Sequence, residues 1–402
     1  MRILTWPWAA TPVTMFRAAL RTPAPPRIGC GALASVLVAI AVCGCAKHET
    51  PAPAAAPAAA PAGDVLAVYN WADFIGQNTI RDFQRATGIA VVYDTYDAEM
   101  TLEAKLLAGD SGYDIVFPSM DYVGRQLKAH VYAPLDKSLL PNWKNLDPQL
   151  LAVYARIDPG NQFAVPYLHS ITGFIYNVDM IRKRMPDAPV DSLDMLFAPK
   201  VIARFADCGV SFIDTAQDVL ALALNYLHLD PSSQRPEDFA AAEQLLLSVR
   251  PFIRSFDSVG QINELANGEL CIAMSWSGDY AISMARARAG GVRVNLAFTV
   301  PKEGTNIIYD AMMIPADAPR KRQAHAFLNY MLEPKVVAAI TNELYYPNDN
   351  AAAMQYVDPA ILANPALYPS AEVQGRLYQA HMGTAVTERL RTRTWTRIKT
   401  GR

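Results

Sequence analysis

The sequence is poor in the clustered residues that most enzyme chemistry requires. Its 402 residues include six histidines. These are His48, His130, His169, His228, His325 and His381, scattered without ligand spacing, so no metal site is expected. No phosphate loop and no Gly-x-Ser-x-Gly elbow occurs, no cofactor is implied, and an enzyme is the weaker reading. Excess positive charge is also missing. With 36 Lys and Arg against 38 Asp and Glu the formal charge is −2, whereas a nucleic-acid binder would show a basic face. Half of the chain is hydrophobic (51%) and only 18% is charged, an ordinary globular balance for a body of two or three domains.

The first residues read as a leader. Residues 28–44 form an apolar run preceded by Arg17, Arg21 and Arg27, too short for a comfortable membrane span and flanked like an export signal. The end of the run, Val42-Cys43-Gly44-Cys45, resembles a bacterial lipoprotein processing site. Residues 1–44 are then the signal peptide and Cys45 the acylated first residue, with Met15 an alternative start. Removing that leader takes away four arginines and no acidic residue, leaving a more acidic mature chain. Residues 51–63 alternate Pro and Ala, an extended backbone with nothing to bury, so 45–64 reads as a tether holding a folded body off the membrane.

Cysteine is scarce too. Of five, Cys30 and Cys43 leave with the leader and Cys45 carries the lipid, which leaves Cys208 and Cys271. In an oxidising compartment such a pair favours a disulfide over two free thiols. A nucleophilic Cys208 is the competing idea, but its neighbours Asp207 and Gly209 supply no base.

From Val65 the pattern alternates strand and helix. Val65–Tyr69, Ile89–Tyr93 and Tyr113–Phe117 read as strands. Asn78 can cap a helix ending before Gly88, and Asp97 one ending before Gly109. Such alternation predicts a parallel sheet under helices, with ligands met at the carboxyl ends of the strands. Trp71, Asp73, Phe74, Ser119, Asp121 and Tyr122 fall there. Phe163–Tyr167 and Gly173–Tyr176 read as strands crossing to a second α/β unit. That unit holds Asp194–Phe197 and Val210–Ile213, a helix opened by Asp214 or Thr215, a helix around 237–249, and a strand at 271–275. Arg320–Leu332 reads as a helix stopped by Pro334, and the tail 388–402 as a solvated helix packed on Trp395.

The densest stretch is 271–280. A buried strand would deliver Trp276 and Asp279 at its end, where an indole face and a carboxylate both suit an organic cation. A core tryptophan beside a solvated aspartate is the ordinary alternative. Carboxylates accompanied by aromatics, with no nucleophile, favour cation capture over acid–base catalysis.

Longer runs carry a family likeness. Val68-Tyr69-Asn70-Trp71-Ala72-Asp73-Phe74, Pro118-Ser119, Cys208-Gly209-Val210-Ser211-Phe212, Leu265-Ala266-Asn267-Gly268, Trp276-Ser277-Gly278-Asp279 and Ile314-Pro315-Ala316-Asp317-Ala318 resemble the polyamine-binding components of bacterial ABC importers, in order from about residue 66 to the end. The resemblance implies a two-lobed type II periplasmic binding protein, each lobe a helix-covered mixed α/β sheet, with the ligand in the cleft between them. Lobe 1 would comprise 65–170 with 309–353, and lobe 2 171–308 with 354–402. It implies further that Trp71 and Trp276 sandwich a methylene chain while Asp279 and Asp310 bind one ammonium. Asp73 and Ser119 would lie near the other end, and Tyr346 would close the box. Asp218 stands where the family has glutamate, Ala72 replaces serine, Phe74 tyrosine, and Ile308 an aromatic. A Cys208–Cys271 disulfide is implied as well. The expected ligand is a short diamine, putrescine, with longer polyamines such as spermidine weaker, handed by a periplasmic, lipid-anchored monomer to an inner-membrane permease. A binder specific for spermidine or cadaverine, admitted by a longer box, and a sensor acting on a membrane receptor are the rival readings.

Overall fold

A computed structural model describes residues 65–401, so the leader, Cys45 and the tether lie outside the described residues. The first lobe starts with β1 (Val65–Trp71), which pairs in parallel with β2 (Ala90–Tyr96) on one side and β3 (Ile115–Val116) on the other. Helices Thr79–Thr87, Glu99–Ala108 and Met120–Lys128 connect and cover these strands. Two expected caps are not made. Asn78 takes helical backbone angles and its side chain bonds no amide, and the helix after Asp97 starts a residue later than expected, with Ala98 in the cap position.

The two crossing segments at 163–176 are one strand, β4 (Val165–Asn177), which runs from the first lobe into the second. Its second-lobe half pairs antiparallel with β7 (Ile272–Trp276) and β8 (Leu296–Thr299), and β9 (Thr305–Met312) runs back along it. Beyond β7 lie β5 (Val210–Phe212) and β6 (Ser255–Phe256), parallel to one another, while β10 (Leu377–Tyr378) flanks β9. β4 and β9 therefore bear the connection between the lobes.

Each lobe has its own core. Leu66, Val68, Ile115, Phe117 and Phe327 fill the first; Phe174, Val210, Phe212, Leu220, Met274 and Trp395 fill the second. Val357, Ile361 and Leu367, expected with the second lobe, pack in the first core. Asn350 caps a 3-10 turn, Ala351–Tyr356, that keeps the chain there, and the second lobe is rejoined only at β10. Pro334 opens a helix, Pro334–Leu344, as well as ending the previous one, because its missing N–H is harmless in a first turn. Helix Ala385–Thr400 lies on the second lobe through Trp395, whose indole N–H donates to Asp214 at 2.9 Å.

Candidate ligand-binding site

A cavity of about 400 Å3 opens between the lobes, and residues of both line it. From the first lobe come Trp71, Ala72, Phe74, Ser119 and Asp121; from the second, Asp218 and Trp276. Ile308, Asp310 and Tyr346 complete the set, so ten of the twelve ligand residues expected from the sequence are brought together. Period-two geometry explains β9: Ile308 and Asp310 face this cavity, while Ile307 and Tyr309 line a second one on the opposite side.

Two expected residues do not line the cavity. Asp73 sits exposed in a left-handed turn just past β1. Asp279 is buried, but Ser277 already begins the helix Ser277–Ala289 and places Asp279 in its first turn. There its carboxylate accepts from the Ser275 hydroxyl at 2.6 Å and the Tyr346 hydroxyl at 3.0 Å. Asp279 thus braces the wall residue Tyr346. Gly278 makes room for that wall, since a Cβ there would fall 2.5 Å from the Tyr346 ring. Phe74 packs edge-on against the same ring, with centroids 5.2 Å apart.

The carboxylates differ in what already satisfies them. Asp218 already accepts from three neutral donors, Thr172 Oγ1 at 2.9 Å and Asn306 Nδ2 at 3.2 Å on one oxygen and Thr215 Oγ1 at 2.6 Å on the other, which leaves it a free lone pair for a cation. Asp310, paired with Ser119 in an isolated bridge, has no such set of donors among the described residues. Burial pushes its carboxyl well above the usual carboxylate range, and the charges of Glu99, Asp121, Asp349 and Asp218 push it further. Asp121 is raised in the same way, by burial and then by Asp218. So many buried acids near one another are costly unless a cation joins them.

Glu99 was not among the expected residues. It is buried, lines the cavity, and accepts only long bonds, from Ser119 N at 3.3 Å and Gln126 Nε2 at 3.4 Å. Burial pushes it up to about 8. In the sequence it looks like an ordinary first-turn helix glutamate, and only the placement of Ser119 across from it shows otherwise.

Two lobes joined by crossing strands over a buried, acid-lined and aromatic-walled cleft define a type II solute-binding protein. Residues 78–368 match the model of the family described as bacterial extracellular solute-binding protein, and the chain belongs to that family. It is 45% identical to the putrescine-binding periplasmic protein PotF of Escherichia coli K12, over 84% of this chain and 92% of that one. It is 42% identical to the putrescine/agmatine-binding protein of Pseudomonas aeruginosa, over 83% and 91% of the two chains. Among solved structures, the spermidine/putrescine ABC transporter substrate-binding protein PotD of Streptococcus pneumoniae superposes with a TM-score of 0.69 at 25% identity, covering 84% of this chain and 99% of that one.

Proposed function

We propose that the protein captures putrescine, or a related polyamine, in the periplasm and delivers it to an ABC permease. One observation carries the reading: buried Asp310 faces the cavity without neutral donors, between the aromatic walls of Trp71, Trp276, Phe74 and Tyr346. An alkyl diammonium loses strong hydration at both ends on entering such a site, so each end requires carboxylate oxygens, while its methylene chain requires flat apolar walls. Asp310 with Ser119 serves one ammonium. Asp218 serves the other through its threonine- and asparagine-bound oxygens, with Ala72 and Ile308 adding apolar wall.

Calorimetric titration of the purified chain with putrescine tests this. Binding should be saturable, and Asp310→Asn should weaken it at least tenfold, because a charge-assisted contact in a dry site is worth about 1.5–3 kcal/mol. Absence of heat or thermal stabilisation with any polyamine would overturn the reading. Lipidation at Cys45 belongs to the same proposal, with the Pro/Ala tether leaving the body free to meet the permease as a monomer. A Cys45→Ser chain should leave the membrane fraction.

A further inference from the structure

We propose that the cleft is also built for a neutral carbonyl oxygen, with Arg391 as its donor, and that it therefore takes mono-N-acylated diamines such as N-acetylputrescine. This rests on the polyamine reading above, because the free ammonium of such a ligand uses the same Asp310. It departs from that reading in that the second nitrogen carries no charge.

The first observation is a guanidinium in the wall of a cavity otherwise suited to cations. Arg391 lines the cavity and is 4% exposed. Every hydrogen bond that it makes among the described residues leaves from Nη1, to Glu388 Oε1 at 2.7 Å and Met382 Sδ at 2.8 Å. Its buried Nε has no partner among them. A diammonium brings only donors and leaves that group unsatisfied, whereas an acceptor oxygen on the ligand meets it.

The second observation is the complement. Gln217, next to Asp218 and 8% exposed, lines the same cavity, and its buried Oε1 has no partner among the described residues. Gln217 lies on helix Ala216–Tyr226 and Arg391 on helix Ala385–Thr400, and these two helices touch. One acceptor and one donor without partners in the same lobe mirror the N–H and C=O of a secondary amide. Asp218 tolerates an amide in place of an ammonium because three neutral donors already bond it.

The acceptor has to be neutral. Glu388 already pairs with Arg391. Burial and then Asp218 raise the Asp121 carboxyl, while Gln379, Asn306 and Arg391 lower it, so two carboxylates share the guanidinium. A carboxylate on the ligand would enter a cavity that holds Asp121, Asp218 and Glu388 and be repelled. Capacity agrees. At roughly 30 Å3 per non-hydrogen atom, the share of a water in liquid, the six of putrescine fill less than half of the 400 Å3 cavity. The nine of N-acetylputrescine fill about two thirds of it.

The test is calorimetry with putrescine, N-acetylputrescine and 6-aminohexanoate, whose carboxylate falls where the acetyl carbonyl would, on the wild type and on Arg391→Met. The wild type should bind N-acetylputrescine with a Kd within tenfold of that for putrescine, and 6-aminohexanoate at least tenfold more weakly than N-acetylputrescine. Arg391→Met should raise the N-acetylputrescine Kd at least tenfold more than the putrescine Kd. Because Arg391 also holds Glu388, the wild type carries a second readout that needs no variant: the carbonyl resonance of 13C-acetyl-labelled ligand should move downfield on binding, as it does on accepting a hydrogen bond. N-acetylputrescine more than tenfold weaker than putrescine, an unshifted carbonyl, 6-aminohexanoate bound as tightly as the amide, or a folded variant that weakens both amines equally would each overturn the proposal. Failure of putrescine alone would overturn the diamine preference and leave the carbonyl position standing. Failure of putrescine and N-acetylputrescine alike would overturn the polyamine reading itself.

Discussion

At the scale of single residues the site is a set of acids held above their usual range by burial. Glu99 stands at about 8 against 4.5 for a free glutamate, and Asp279 at about 6 against 3.8. A group raised on folding binds more protons in the native state than in the unfolded chain. Its stabilising effect is complete below the unfolded value and disappears as pH rises through the folded value. For Glu99 the window is pH 4.5 to about 8, and thermal melts of the unliganded protein should fall across it. Cation binding has the opposite sign. It favours the ionised acids, so affinity should rise over the same window, with protons released on binding. Titrations in buffers of different ionisation enthalpy measure that release, and an affinity that falls from pH 5.5 to 8 would contradict the assignment. Asp279→Asn belongs to the same scale. Because Asp279 acts through Tyr346, this change should weaken putrescine less than Asp310→Asn does.

At the scale of elements the cleft depends on where strands end. Cys208 and Cys271 form a disulfide with Cα atoms 5.5 Å apart. It joins the segments leading into β5 and β7, the two strands that deliver Asp218 and Trp276. The bridge spans 63 residues in sequence, a loop worth about 4 kcal/mol in the chain-entropy account. Replacing both cysteines with serine should lower the melting temperature by several degrees and loosen binding modestly. An unchanged melt would show that the bridge adds nothing to the second lobe. Thr215 makes a similar point on a smaller scale. Its hydroxyl caps the helix Ala216–Tyr226 by accepting from the Asp218 amide at 3.3 Å and donates to the Asp218 carboxylate at 2.6 Å, so one residue sets both the helix and an acid of the site.

At the scale of the whole molecule the lobes meet through charge as well as through β4 and β9. Arg125, on the first-lobe helix Met120–Lys128, pairs with Glu103 of its own lobe and lies 3.8 Å from Glu388 on the second-lobe helix Ala385–Thr400. Arg391 holds Glu388 in place. Such a contact exists only while the lobes are together, so it biases the balance toward closure. A partly exposed pair is worth up to about 1 kcal/mol. Arg125→Met should therefore raise the ligand Kd by roughly fivefold or less and make that Kd less sensitive to salt. A variant with wild-type affinity at both low and high salt would remove the latch from the account.

Much of this was legible in the chain. Alternating apolar runs and turn signals marked most strands and helices, because periods of 2 and 3.6 are written locally. The family likeness named nine of the residues that line the cleft, chiefly its aromatic walls and two of its acids. What required the tertiary structure was the allocation of roles. Asp279 and Asp310 look alike in sequence, yet a helix starting at Ser277 puts the first behind Tyr346 and the pleat of β9 puts the second in the cavity. Glu99, Asp121 and Gln217 are separated by up to more than a hundred positions, and their shared cavity exists only once two lobes face each other. A local pattern fixes which way a side chain leaves its own element; whether it meets a solvated surface, a hydroxyl or another acid depends on packing between distant segments, and that packing set the electrostatics of the site.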